Sequence, residues 1–486
     1  MKKWLCLLVL VGQTLIPAWA NELPDFGNPA DAILNKSREG QLGRSVMLEL
    51  RNAGVIVDDP LLNEYLQSIG ADIASHANNG SHRFQFFIVD DDQINAFAMP
   101  GGYIGVHTGL ILASENENEL AGVLAHEISH VTQRHIARSL YDSQRTSIVS
   151  MAAMLAAVLL GAAADMPGDA LAGVVSASQA AQLQRQINFT RAHEHEADRV
   201  GIDVLSKAGY DPNAMATFFE KLSRRYGLAG QDVPAILQTH PVTSARIAEA
   251  RDRARRLPQV RRDNSIGYEL AKARIEVLAA NDPRAALRSF EAKPDQESAA
   301  VRYGKALALA QLGRNDEAER LFRALASEQP GVIAYRIGLG EALAASGATE
   351  QALTVYADAV RLFPRNVPLT ISYAEALLEA GRAAEAHRLL LDLLNNVPPT
   401  PAQIRLIARA ADAEGDTLNA HYYMGEYYVS IGNLPLAINQ LHMALELPDA
   451  HAVDRARLNA RLEELVEYLP EEQRDEALQR RRPADG

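Results

Sequence analysis

The chain has 486 residues, 48% hydrophobic and 22% charged. These are the proportions of a folded protein, and the length exceeds what one core organises, so two or three domains are expected. A formal net charge of −13 argues against nucleic acid as a partner. At the start, Lys2 and Lys3 precede an apolar run from Trp4 to Ile16, followed by Pro17 and Ala18-Trp19-Ala20. This is the order of a secretory signal over residues 1–20, with cleavage predicted after Ala20. The run is shorter than the roughly 20 residues of a membrane span, which disfavours an anchor. Cleavage removes Cys6, the only cysteine, and with Lys2 and Lys3 gone the charge becomes −15. No cysteine stands at Asn21 to take a lipid. An exported chain without disulfides is compatible with a bacterial periplasm.

Residues 21–262 mix helical patterns with one clear strand region and hold most of the histidines. The strand region runs from Ile94 to Leu110, where alternation around Pro100-Gly101-Gly102 predicts strand, tight turn, strand. A strand edge of this kind, here Asn95, Ala96, Phe97 and Ala98, can hold an extended peptide through backbone hydrogen bonds. Next comes a helix with acidic residues at its start (Glu115, Glu117, Glu119) and an apolar side (Leu120, Val123, Leu124). It carries His126-Glu127-Ile128-Ser129-His130. Histidines at i and i+4 share one helix face and can fill two corners of a zinc tetrahedron. Glu127 then lies beside the metal and can take the proton of an attacking water.

A third protein ligand is required. The candidates are in His193-Glu194-His195-Glu196-Ala197-Asp198, at the start of another helical pattern, and chemistry alone does not choose among the first four. Glu194 and Asp198 are i, i+4, so a ligand and a second carboxylate would share a face; Asp198 could orient a ligating histidine or assist proton transfer. Between the two motifs, Ile148 to Ala164 is an apolar, Ala-rich run. It is marginal as a membrane span and is read as a lid or buried helix.

Residues 261–267 are polar and break the pattern as a linker. From 268 to 470 the chain repeats itself: Gly313, Gly347, Gly381 and Gly415 are 34 residues apart, as are Ala318, Ala352 and Ala386, and Pro330, Pro364 and Pro398. This is the tetratricopeptide pattern, in which the glycine ends helix A, the alanine admits helix B closely and the proline stops it. A further unit around Gly432, Ala437 and Pro448 is half a period out of step, which predicts a bend or interruption near Gly415–Gly432. Tyr268 to Phe290 reads as a degenerate opening unit. Such arrays leave a concave face for extended protein ligands. Residues 471–486 read as a solvated tail.

The His-Glu-x-x-His motif, the Asn-Ala-Phe-Ala-x-Pro-Gly-Gly strand before it and the Glu-x-x-Ala-Asp helix after it resemble the HtpX and CAAX-prenyl-protease metallopeptidase family. With a signal peptide in front and repeats behind, the whole chain is similar to the periplasmic β-barrel assembly-enhancing proteases of Gram-negative bacteria. The resemblance implies a mainly α protein: an α+β zincin-type metallopeptidase domain with a small sheet, then an all-α repeat solenoid. It implies one Zn2+ per subunit on His126, His130 and Glu194, Glu127 as base, and Asp198 as the family's proton-donor aspartate. It also gives meaning to Thr239-His240-Pro241-Val242-Thr243-Ser244-Ala245-Arg246. There the histidine is expected at zinc's fourth site as a latch, and Arg246 faces the active site; either could stabilise an oxyanion. The implied partners are the β-barrel assembly machinery and outer-membrane β-barrel clients, the lipopolysaccharide-transport barrel among them, which the protein helps to assemble or degrades when stalled. The rival reading is a mainly non-proteolytic chaperone or adaptor that docks on that machinery through its repeats.

Overall fold

The computed structural model describes residues 34–77, 83–142, 191–226, 233–448, 450–469 and Arg474. The signal segment, the 148–164 run and, apart from Arg474, the 471–486 tail lie outside them.

The first part opens with helix α1 (Lys36–Asn52) and helix α2 (Pro60–Ser75). The second is started by Pro60 at its first turn and by Asp59, whose side chain accepts from the Leu62 N–H. Strands β1 (Gln85–Val89), β2 (Ala96–Met99) and β3 (Tyr103–His107) form one sheet in the order β1-β3-β2. β2 and β3 pair antiparallel, as the hairpin pattern predicts, whereas β1, which the sequence did not announce, pairs parallel to β3. β3 ends at His107, and Thr108–Ala113 turns into a short helix, α3, where the hairpin pattern had been read on to Leu110. Among the described residues β2 is therefore an edge strand.

Alternation places Phe86, Ile88, Ile104 and Val106 in the main core and Phe87, Val89 and Met99 in a second cluster with α1. The sheet is thus a middle layer. Its hairpin turns at Gly102, in the left-handed region at φ 87°, where an added Cβ would stand 2.2 Å from the Arg83 carbonyl oxygen. Gly102→Ala is expected to destabilise the protein by about 2–4 kcal/mol in urea unfolding, from backbone strain plus the clash.

The central element is helix α4 (Glu117–Thr132), capped by the Asn116 side chain and buried along its length, from Glu117 to Val131. Its acidic start, which the sequence suggested as a charged helix end, is buried because each polar group has a specific partner. Glu117 accepts from the Ser265 backbone N–H (2.9 Å) and hydroxyl (2.7 Å), Asn118 donates to the Arg262 carbonyl (2.9 Å), and Glu119 meets Lys221 (2.6 Å). Helix α5 (His135–Asp142) follows, and α6 (Arg191–Lys207), α7 (Ala214–Tyr226), α8 (Ala235–Thr239) and α9 (Ser244–Arg255) complete this part. Gly122 and Gly201 let α4, α6 and the start of α7 come close: a Cβ on Gly122 would lie 2.9 Å from the Met215 backbone.

From Ile266 onward the structure is helical hairpins: α10 (Ile266–Leu278), α11 (Pro283–Glu291), α12 (Ala299–Gln311), α13 (Asn315–Glu328), α14 (Ile333–Ala345), α15 (Thr349–Leu362), α16 (Val367–Glu379), α17 (Ala383–Leu394), α18 (Pro401–Glu414), α19 (Thr417–Ser430), α20 (Leu434–Glu446) and α21 (Ala452–Glu467). The periodic glycines follow helices and have positive φ, and the periodic alanines are fully buried. The half-period shift does not break the array. α19 serves both neighbours, giving Tyr423 to the preceding core and Leu418, Tyr422, Tyr428 and Val429 to the next.

The repeats curve along the first part. Arg274 pairs with Asp59 (2.7 Å), Asn366 donates to Glu64 (2.6 Å), the Tyr268 hydroxyl donates to the Ser114 carbonyl (2.8 Å), and Gly432 packs on Leu48 of α1. No helix among the described residues is long and apolar enough to cross a membrane.

Candidate metal centre

The helical i, i+4 spacing of α4 brings His126 Nε2 within 3.0 Å of His130 Nε2. The first turn of α6 brings Glu194, whose carboxylate oxygens lie 3.5 Å from each of these nitrogens. The residue after α8, His240, completes the group: its Nδ1 is 3.3 Å from His126 Nε2 and 3.1 Å from Glu194 Oε1. Among the described residues these four form the one group able to hold a metal ion, and all are buried. Bonds of about 2.0–2.1 Å at tetrahedral angles set ligand atoms roughly 3.3–3.4 Å apart. The observed separations bracket that value. Two neutral imidazoles, a carboxylate and a third imidazole are also a donor set that suits zinc.

Glu127, the next residue on α4, is fully buried, and neither carboxylate oxygen has a hydrogen-bond partner among the described residues. Burial raises its pKa, and the neighbouring His240 and His126 and the backbone of Ala98 only partly counter this. Ala98 belongs to the edge strand β2, so the strand predicted to hold substrate runs past the candidate base. In the same strand Ala96 is fully buried, Phe97 and Ala98 are half-buried, and Asn95 just before it is buried, its carbonyl accepting from the His107 N–H (3.0 Å).

Glu194 is held well below the usual carboxylate range: burial opposes ionisation, but His240 and His126 outweigh it. Asp198, one turn on, lies behind His126, with Oδ1 3.0 Å from His126 Nδ1. Arg246 grips it with two bonds, Nε to Oδ2 (2.7 Å) and Nη2 to Oδ1 (2.9 Å). Burial works against the Asp198 charge, yet His126 and Arg246 keep its pKa low. The same arginine reaches Glu194 Oε2 (2.8 Å) and the Pro241 carbonyl (2.8 Å). Burial disfavours a charged His126, but the Asp198 and Glu194 carboxylates outweigh it and raise its pKa.

The structure also separates the four residues among which chemistry could not choose. Glu194 points into the centre. His195 turns outward to Glu249 (2.8 Å), His193 stacks on His135 (4.5 Å between ring centres), and Glu196 meets His135 and Arg138. His135 was missed by sequence reasoning. It is fully buried, and its Nδ1 lies 2.9 Å from His130 Nδ1. Burial, with His193 beside it, lowers its pKa to about 4. The signal was a histidine five residues past the second motif histidine, but its use depends on the turn between α4 and α5. There Arg134 takes φ 57°, a left-handed conformation that costs about 1–2 kcal/mol. Arg134 is fixed by Glu39 (2.9 Å) and the Leu34 carbonyl (2.6 Å).

Residues 60–254 match the model of peptidase family M48, and residues 275–333 and 343–410 match tetratricopeptide-repeat models. A Vibrio cholerae protein is 41% identical over 333 residues, 67% of this chain and 68% of its own. The β-barrel assembly-enhancing protease of Escherichia coli (strain K12) is 37% identical over 342 residues, 68% of this chain and 69% of its own. The mitochondrial metalloendopeptidase OMA1 of Schizosaccharomyces pombe is 31% identical over 188 residues, 38% of this chain and 51% of its own. The chain therefore belongs to peptidase family M48, as a zinc-dependent metalloprotease that carries tetratricopeptide repeats and is related to the β-barrel assembly-enhancing proteases.

Proposed function

We propose that this is an exported zinc endopeptidase of the Gram-negative periplasm. It assists the assembly of outer-membrane β-barrel proteins and degrades those that stall. The observation that carries the catalytic part is the buried donor set of His126, His130, Glu194 and His240 with the buried Glu127 carboxyl beside it. When bound, zinc supplies the Lewis acidity that polarises a peptide carbonyl and acidifies water. His126, His130 and Glu194 hold it. Glu127 takes a proton from the attacking water and delivers it to the leaving amine. Asp198, gripped by Arg246, orients His126 from behind and stands where it can assist proton transfer. The outer edge of β2 receives an extended segment of substrate by backbone pairing. Arg246 holds Asp198, Glu194 and the His240 segment in one arrangement and can face a developing oxyanion when that segment moves.

The β-barrel role is supported by the names of the relatives and by the repeats, whose curved array is suited to binding extended or partly folded chains. Docking on the β-barrel assembly machinery, with clients that include the lipopolysaccharide-transport barrel, is part of this proposal.

The catalytic part is tested on the purified chain with an unfolded outer-membrane barrel protein as substrate. Elemental analysis should find one zinc per chain, and 1,10-phenanthroline should abolish cleavage and lower the melting temperature. At zinc concentrations 100 times Kd the stabilisation lost is about 2.7 kcal/mol. Cleavage that survives complete zinc removal overturns the reading. For the partner, photo-crosslinkers placed along the repeats in living cells should capture components of the assembly machinery; capturing none removes the docking role.

A further inference from the structure

We infer that His135, held in turn by Glu196 and Arg138, is a positioning residue for the metal ligand His130. The inference rests on the metal-centre reading above. His130 turns Nε2 towards the other donors and Nδ1 away from them, to within 2.9 Å of His135 Nδ1. On the far side of the His135 ring, Nε2 lies 3.2 Å from Glu196 Oε2, and the same oxygen accepts from Arg138 Nη1 at 2.8 Å.

Chemistry fixes the direction of this chain. A histidine that ligates through Nε2 carries its proton on Nδ1, so His130 donates and His135 Nδ1 accepts. A neutral His135 that accepts at Nδ1 carries its own proton on Nε2 and donates it to Glu196. The carboxylate accepts from both the imidazole and the guanidinium. Each of these three contacts then joins one donor to one acceptor. Were the His135 ring flipped or its tautomer reversed, two N–H groups would face each other or none would reach His130.

This mirrors the support of the first ligand, where His126 Nδ1 meets Asp198 and Asp198 is gripped by Arg246. Metal-bound histidines are commonly oriented by a partner on the second nitrogen. Here an extra imidazole extends the reach to a carboxylate on another helix. Glu196 comes from α6, the helix that also supplies Glu194, so the chain ties the placement of the second ligand to that of the third. Two further features serve it. Arg134 takes the left-handed backbone that breaks the helix after Thr132 and restarts it at His135. His193 lies flat on the His135 ring, 17° from parallel, and fixes its plane.

The test measures zinc affinity of the full chain by chelator competition and the visible spectrum after cobalt substitution. His135→Phe keeps a ring for stacking and removes the acceptor; it should weaken zinc binding about 10- to 100-fold and alter the cobalt spectrum. His135→Asn places an oxygen where Nδ1 stands and should bind within about threefold of the unaltered chain. Glu196→Ala should lose roughly three- to tenfold, and adding it to His135→Phe should cost nothing more, because both act along one chain. Equal affinity in His135→Phe and the unaltered chain overturns the inference, as do equal losses in the Phe and Asn variants. Glu196 is partly exposed, so its variant gives the reading even if His135→Phe does not fold; an unchanged affinity there also counts against the chain. An unaltered chain that takes up no zinc removes the metal-centre reading itself and this inference with it.

Discussion

Replacing Glu127 by glutamine leaves zinc bound and lowers peptide hydrolysis by about 10²–10⁴-fold, the range of a lost general base. The substitution keeps shape and hydrogen-bonding capacity but cannot take a proton. Glu127 accepts no hydrogen bond from His126 or His130, and its one ion-pair contact in the group is with His240, at 3.6 Å, so zinc content should match that of the unaltered chain. The fall should appear in kcat, with KM little changed, since the residue acts on the reacting water and not on distant parts of the substrate. The pH profile gives a second check. Burial raises the Glu127 pKa, so the acid limb of kcat/KM should rise at a pH above the ordinary carboxylate value, as the base loses its proton. Hydrolysis retained by Glu127→Gln would remove Glu127 as the base. In cells the same variant separates two activities: if it restores envelope integrity fully, assembly assistance does not need proteolysis.

Much of this centre was legible because its chemistry is local. The i, i+4 spacing of His126 and His130 is a property of any helix, and the repeat period of 34 residues needs only a count. Other parts were not, because they depend on contacts far apart in sequence. Nothing near Gln85–Val89 announces that it pairs parallel to β3, since that pairing is made by the packing of α2 and α4 on the sheet. Glu117 reads as a charge at a helix start; only the fold shows it capped by Ser265 across the junction to the repeats. The choice of Glu194 over its three neighbours required the rotation of α6 about its axis, which places residue 194 inward and residue 195 outward. His135 depends on a single left-handed residue that periodicity does not register.

His240→Ala should keep its zinc and hydrolyse peptides about 10- to 100-fold faster than the unaltered chain. In the structure the His240 ring stands between the donors and the base, with Nδ1 beside Glu194 and His126 and Nε2 3.6 Å from Glu127 Oε1. A scissile carbonyl and an attacking water need that same space. The ring is held there from several sides: the His240 N–H donates to the Ile236 carbonyl (2.9 Å), the Ile236 N–H to the Ile94 carbonyl (3.2 Å), and Arg246 to the Pro241 carbonyl. The two neutral backbone bonds are worth about 0.5–1.5 kcal/mol each and the charge-assisted one from Arg246 about 1.5–3 kcal/mol, and each 1.4 kcal/mol favouring the closed state lowers the open fraction about tenfold. Removing the ring frees the space, while His126, His130 and Glu194 still hold the metal. Ile94 lies two residues before β2, so if His240 is a latch, a peptide pairing with β2 works close to the contact that anchors it, and substrate binding should favour latch release. The coupling has its own signature. A peptide that pairs with β2 should activate the unaltered chain more steeply with concentration than it does His240→Ala, which has no latch to open. If His240→Ala binds zinc fully yet is slower, the ring contributes to the reaction and the latch is overturned.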